Sequence, residues 1–80
     1  MRIPRNLTGR ELTKLLAYYG YEISRQTGSH IRLTTFNNGQ HHITIPDHNP
    51  LRIGTLSSVL NAVALHLKLS KNEVMDQLFE

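Results

Sequence analysis

The stretch Thr27-Gly28-Ser29-His30-Ile31-Arg32-Leu33 holds the side chains best suited to chemistry in this chain of 80 residues. A Gly-Ser turn leads into an alternating segment, so His30 enters a strand and shares a face with Arg32. On a three-stranded meander that face lies across from His42 or Thr44. An imidazole titrates near neutral pH and a guanidinium is a permanent cation, a pairing that suits phosphodiester cleavage. The imidazole can move the proton of a ribose 2′-OH or of the leaving oxygen, and the cation can stabilise charge on the phosphorane. RNA brings its own nucleophile in that 2′-OH, so neither a metal nor a protein nucleophile is required. The placement permits this chemistry without requiring it, because an ordinary surface strand also presents histidines to solvent.

Other constellations are weaker. The chain has no Gly-rich phosphate loop, no paired catalytic carboxylates and no His-Glu-x-x-His helix. Its lack of cysteine excludes disulfides and thiolate metal sites. His41 and His42 are adjacent on a strand and point to opposite faces, which makes a poor metal pair, although the loop carrying His48 could swing towards them. Arg25 and Arg32 either flank a phosphate or are solvated strand charges. Arg2, Arg5 and Arg10 read as phosphate-positioning contacts or as plain surface charge. Tyr18, Tyr19 and Tyr21 read as core and rim at a helix–strand junction, and His66 as a surface residue.

The elements that must position His30 can be read from the period of the pattern. Pro4 disfavours helix at Ile3, so Arg2 to Leu7 is an extended lead-in. Thr8-Gly9-Arg10-Glu11 is a capping box, and Leu12, Leu15, Leu16 and Tyr19 form an apolar stripe on a helix over 9–19, closed by Gly20. From Tyr21 the period becomes two: Tyr21, Ile23 and Arg25 alternate with Glu22, Ser24 and Gln26. After the Thr27-Gly28-Ser29 turn a second strand runs to Phe36, with Ile31 and Leu33 opposite His30, Arg32 and Thr34. Asn38-Gly39 is a hairpin signal, and a third strand over 41–45 puts Ile43 and Ile45 on the core face before Pro46 ends it. A loop over 47–53 precedes a second helix opened by Gly54-Thr55, with a stripe of Leu56, Val59, Leu60, Val63 and Leu67. Ser70-Lys71-Asn72-Glu73 caps a short terminal helix. The reading is an α+β fold of order α-β-β-β-α with a three-stranded antiparallel sheet, both long helices on one face, and a short C-terminal helix. That is the layout of a double-stranded-RNA-binding domain.

Size and charge set outer limits. Eighty residues, 39% of them apolar, make one domain over 1–80 with a single two-layer core. No apolar run approaches the roughly 20 residues of a membrane span, and no signal-peptide pattern follows Met1, so a soluble cytoplasmic protein is expected. Seven of the nine basic residues fall in the first 52 positions, opposed there only by Glu11, Glu22 and Asp47. The tail from residue 53 has a slight acidic excess, so the basic part is the one suited to a polyanion.

Three motifs together resemble the HicA (YcfA-like) toxins of toxin–antitoxin pairs. They are Gly28-Ser29-His30 entering a strand, Thr44-Ile45-Pro46-Asp47-His48 ending the next, and Leu51-Arg52-Ile53-Gly54-Thr55-Leu56 opening the second helix. The similarity runs over roughly residues 5–68. It implies a double-stranded-RNA-binding-like fold, metal-independent cleavage of mRNA without a cofactor, and a HicB antitoxin that covers the active site. It also implies that His30 is the catalytic residue. Many relatives have a second histidine where this chain has Ile31, and a more basic first turn of the second helix than Leu56-Ser57-Ser58, where Arg52 is the nearest cation. The expectation is an endoribonuclease with His30 as general acid or base and Gly28, Ser29, Arg25, Arg32 and Arg52 as RNA contacts. The alternative classes are a non-catalytic RNA-binding module and a protein-interaction domain.

Overall fold

The computed structural model describes residues 4–79, so Met1, Arg2, Ile3 and Glu80 lie outside the described residues, the first part of the lead-in among them. Thr8 accepts from the Glu11 N–H at 3.0 Å while the Glu11 carboxylate accepts from the Thr8 N–H at 2.8 Å, closing the expected capping box at the start of α1 (Gly9–Leu16). The α-helix is shorter than its apolar stripe. Its end tightens into a 3₁₀ turn, Ala17–Tyr19, closed by Gly20 at φ 83°. Three strands follow: β1 (Glu22–Thr27), β2 (His30–Thr35) and β3 (His41–Pro46), antiparallel in the order β1-β2-β3. The turn before β3 places Asn38 and Gly39 at positive φ, as the Asn-Gly signal demands. Helix α2 (Ile53–Leu67) starts one residue earlier than Gly54 suggests, with Arg52 as its N-cap residue. Ser70 and Glu73 form the second capping box, which opens α3 (Lys71–Phe79).

The α-β-β-β-α order with a terminal helix is therefore the observed one. One core joins Leu12 and Leu16 of α1, Ile31 and Leu33 of β2, Ile43 and Ile45 of β3, and Leu56, Leu60 and Val63 of α2. Helix α3 adds Val74, Met75 and Leu78 to that core. It is tied down by Tyr19 Oη donating to Gln77 Oε1 at 2.6 Å and by a hydrogen bond from Lys71 Nζ to Ser57 Oγ. The tail is thus structural, and it shields apolar surface that α2 would otherwise expose. With all the helices' apolar stripes turned to one side, the other face of the sheet stays open.

The strand β1 departs from simple alternation. Its pairing with β2 shifts between Ile23 and Arg25, so Ile23 faces Leu33 and Arg25 faces Arg32, with Ser24 as the extra residue. This β-bulge moves Arg25 off the face that alternation assigns it, beside Tyr21 and Ile23, and onto the open face. It is a correction that matters for the site.

At one end of the sheet, α1 lies directly on β3. The Gly9 N–H donates to the His48 carbonyl at 2.9 Å, and the Leu51 N–H to the Leu7 carbonyl at 2.8 Å. A Cβ at Gly9 would collide with the Pro46 carbonyl, a backbone atom that cannot swing aside. Gly9→Ala is accordingly expected to lower stability by about 1–3 kcal/mol, the usual range for forced overpacking, read as a lower urea midpoint with an unchanged slope.

Candidate functional site

The open face of the sheet is organised as rows of cross-strand neighbours. Burial of Ile31 and Leu33, both fully enclosed, forces His30, Arg32 and Thr34 of β2 outward. The first row is Thr27–His30–Pro46, the second Arg25–Arg32–Thr44, and the third Glu22–Thr34–His42. His30 is therefore opposite Pro46, not across from His42 or Thr44. Thr44 is a diagonal neighbour, about 7 Å away by sheet geometry, and His42 lies two rows along. Ile31 is a core residue.

His30 is exposed, and its turn is well defined. Thr27 pairs with His30 across a two-residue loop, with Gly28 at φ 56° in the first position, the chemistry of a type II′ turn. The Ser29 carbonyl accepts from the Asp47 N–H at 2.6 Å. The Asp47 carboxylate in turn accepts from Arg10 Nε at 3.3 Å and from its Nη2 at 3.2 Å. The residue before His30 is thus connected through Asp47 to the first turn of α1. Nothing in the short-range pattern reveals this link, since Arg10 and Asp47 are 37 residues apart.

Beside His30 stands the pair Arg25 and Arg32. Directly opposed like charges on adjacent strands destabilise a sheet. The Arg10–Asp47 bridge is the one ion pair among the described residues, so neither guanidinium has a carboxylate partner among them. Two cations at cross-strand distance next to an exposed imidazole are an arrangement that can attract an anion such as a phosphate. Of the other expected contacts, Gly28 and Ser29 lie in the turn leading to His30, while Arg52 lies exposed at the N-terminus of α2. Arg5 is exposed in the lead-in; Arg2 lies outside the described residues. The third row is a hydrogen-bonded line, with Thr34 Oγ1 at 2.9 Å from Ser24 Oγ and 2.7 Å from His42 Nδ1.

A second group of histidines lies at the far end, and it corrects the reading of His66 as a surface residue. His66 is half-buried and stacks on His41, with ring centroids 4.3 Å apart and an interplanar angle of 11°. His66 Nε2 is 2.9 Å from the Asn37 carbonyl and 3.0 Å from that of Gly39. Carbonyls only accept, so that nitrogen carries the proton. Tyr21 Oη lies 2.7 Å from His41 Nδ1, and burial pushes the Tyr21 phenol up to about 12. The phenol therefore stays protonated and donates to the neutral imidazole. Burial lowers the His41 pKa, and His66 and then His42 lower it further. This cluster clips the end of α2 to the β2–β3 turn. His48 lies in the loop beside Gly9, at the opposite end from His41 and His42, and does not converge on them.

Residues 9–65, more than half of the chain, match the family model described as HicA toxin of bacterial toxin-antitoxin. No curated protein and no solved structure matches the chain. The match covers α1, the whole sheet and most of α2, and it includes His30 and both arginines of the open face.

The His41 cluster sets a pH dependence of stability. A histidine whose pKa is lower in the folded chain takes up protons more readily when unfolded, so stability falls as pH drops below its ordinary value near 6.5. The thermal midpoint is expected to fall between pH 7 and pH 5, and His41→Gln to show a smaller fall over the same range.

Proposed function

The chain belongs to the HicA toxin family of bacterial toxin–antitoxin systems, and from that premise we propose that it is an endoribonuclease acting on mRNA in the cytoplasm. The observation that carries the reading is an exposed imidazole, His30, beside two opposed guanidiniums that have no carboxylate partner among the described residues. A phosphodiester laid over Arg25 and Arg32 would satisfy both cations and bring its ribose within reach of His30. The 2′-oxygen then attacks the adjacent phosphorus, and the bond to the 5′-oxygen breaks. The proton leaves the 2′-OH and ends on the departing 5′-oxygen, with the imidazole as its carrier. The guanidiniums hold the extra negative charge of the phosphorane between these two events. The products are a 2′,3′-cyclic phosphate and a free 5′-hydroxyl, and no atom from outside the RNA is consumed.

In this reading Gly28 and Ser29 are positioning residues. Gly28 permits the tight turn, and Ser29 anchors it to Asp47 through its carbonyl. Arg52 adds positive charge at the start of α2 and helps steer the polyanion, whereas the charge of Arg10 is offset by Asp47. The partner within the toxin–antitoxin pair is a HicB-type antitoxin, and an acidic or extended segment of it that covers the open face would block His30.

Expression of the wild-type chain is expected to arrest growth and deplete mRNA. His30→Ala should lower cleavage about 100- to 10,000-fold, the usual contribution of general acid–base catalysis, with an unchanged circular dichroism spectrum. An alanine variant that is equally toxic would remove His30 from the mechanism. A non-catalytic RNA-binding module predicts that outcome, together with loss of the effect in Arg25→Glu or Arg32→Glu.

A further inference from the structure

Beyond the phosphate site, the open face continues along β2 for two more rows and ends at an aromatic ring. Thr34 points outward to Ser24 and His42, whereas Thr35 points inward, fully buried, with its hydroxyl donating to the Tyr19 carbonyl at 2.9 Å. The next outward position is Phe36, which is 74% exposed. It is held on a stiff support. Asn37 donates from its side chain to the Tyr19 carbonyl at 2.6 Å and from its backbone to Thr35 Oγ1 at 3.1 Å, and the Phe36 carbonyl accepts from the Gly39 N–H at 3.3 Å. The residues on both sides of the ring are therefore fixed to the same carbonyl. A large apolar ring presented to water on so rigid a base is organised in advance for a flat partner.

We propose that a single-stranded stretch of RNA lies along β2, with the cleaved phosphate at His30, Arg25 and Arg32 and a base stacked on Phe36. Phe36 lies six residue steps along the chain from His30, about 20 Å at the usual rise, and sheet-based RNA modules stack two or three bases over such a surface. Between the two ends lie the Ser24 hydroxyl and the His42 ring, whose Nε2 is 3.4 Å from Gln40 Nε2, groups able to hydrogen-bond base edges and both held in place by the nearly buried Thr34 hydroxyl. Glu22 is the carboxylate of this face, on the outer edge in β1, so the sugar-phosphate chain runs over the arginines and the β3 side. Charge and shape thus select the same occupant. A duplex keeps its bases stacked internally and has none free for Phe36.

The inference rests on the ribonuclease reading for the place of the phosphate, but its test does not need cleavage. The full chain carrying His30→Ala is titrated with a fluorescein-labelled single-stranded RNA of eight nucleotides and with the corresponding duplex. The single strand is expected to bind more tightly. Adding Phe36→Ala should weaken that binding roughly 5- to 150-fold, the loss of one base stack, with the salt dependence unchanged. Phe36→Trp should retain it, and Arg32→Gln should reduce the salt slope instead. Equal binding by the Phe36→Ala protein, or a preference for duplex, overturns the proposal. So does a loss of antitoxin affinity in Phe36→Ala with RNA affinity intact, which would assign the ring to the protein partner. Failure of the ribonuclease reading would show elsewhere, as RNA left uncut by the wild-type chain.

Discussion

The inward burial of Ile31 and Leu33 on the central strand decides the placement of nearly everything else. Each is fully enclosed, and removing such a side chain from water is worth about 1.5–3 kcal/mol. A slip of one residue would expose both and bury His30 and Arg32. An unpaired guanidinium in the core is far more costly than a lost apolar contact. The two penalties act in the same direction, so the register is firmly specified. The face available for chemistry is the side that packing leaves over.

That leftover face is kept open because the apolar stripes of α1, α2 and α3 all serve one core. Its two ends are then secured by different means. Near His30, the loop after β3 is joined to α1 by the Gly9–His48 and Leu7–Leu51 backbone bonds and by the Arg10–Asp47 pair. At the far end, the His41–His66 stack and the Asn37 amide hold the β2–β3 turn against α2 and the 3₁₀ turn. The sheet is thus anchored to the helices at both ends. The opposed Arg25 and Arg32 are the exception to local stability, a like-charge pair that a bound anion would relieve.

The chemistry proposed for His30 draws little on the interior. Its neighbours in the same row are Thr27 and Pro46, neither of which titrates. Its role depends on the position of a substrate phosphate and on the cations of the next row. This is consistent with a reaction whose nucleophile comes from the RNA. The proposed site also leaves the core intact: His30, Arg25 and Arg32 are on the open face, and their cost in packing is small.

Much of this was legible in the sequence. Both capping boxes, the change of period at Tyr21, the Asn-Gly turn and the in–out pattern of β2 and β3 are local signals, each fixed by residues within a few positions of one another. They determined the order of elements and the outward direction of His30 and Arg32. The family resemblance rested on equally local motifs. Three features were decided only by the tertiary structure. Arg25 reached the open face through a bulge, which exists as a register between two strands and leaves the period-two pattern of β1 unchanged. His66 became a half-buried clasp because its acceptors are carbonyls of Asn37 and Gly39, 29 and 27 residues away. Phe36 became an exposed ring between two anchored residues because Thr35 and Asn37 are both tied to Tyr19, on another element. In each case the deciding interaction joins groups remote along the chain, and a sequence carries no sign of which remote groups will meet until the core has closed.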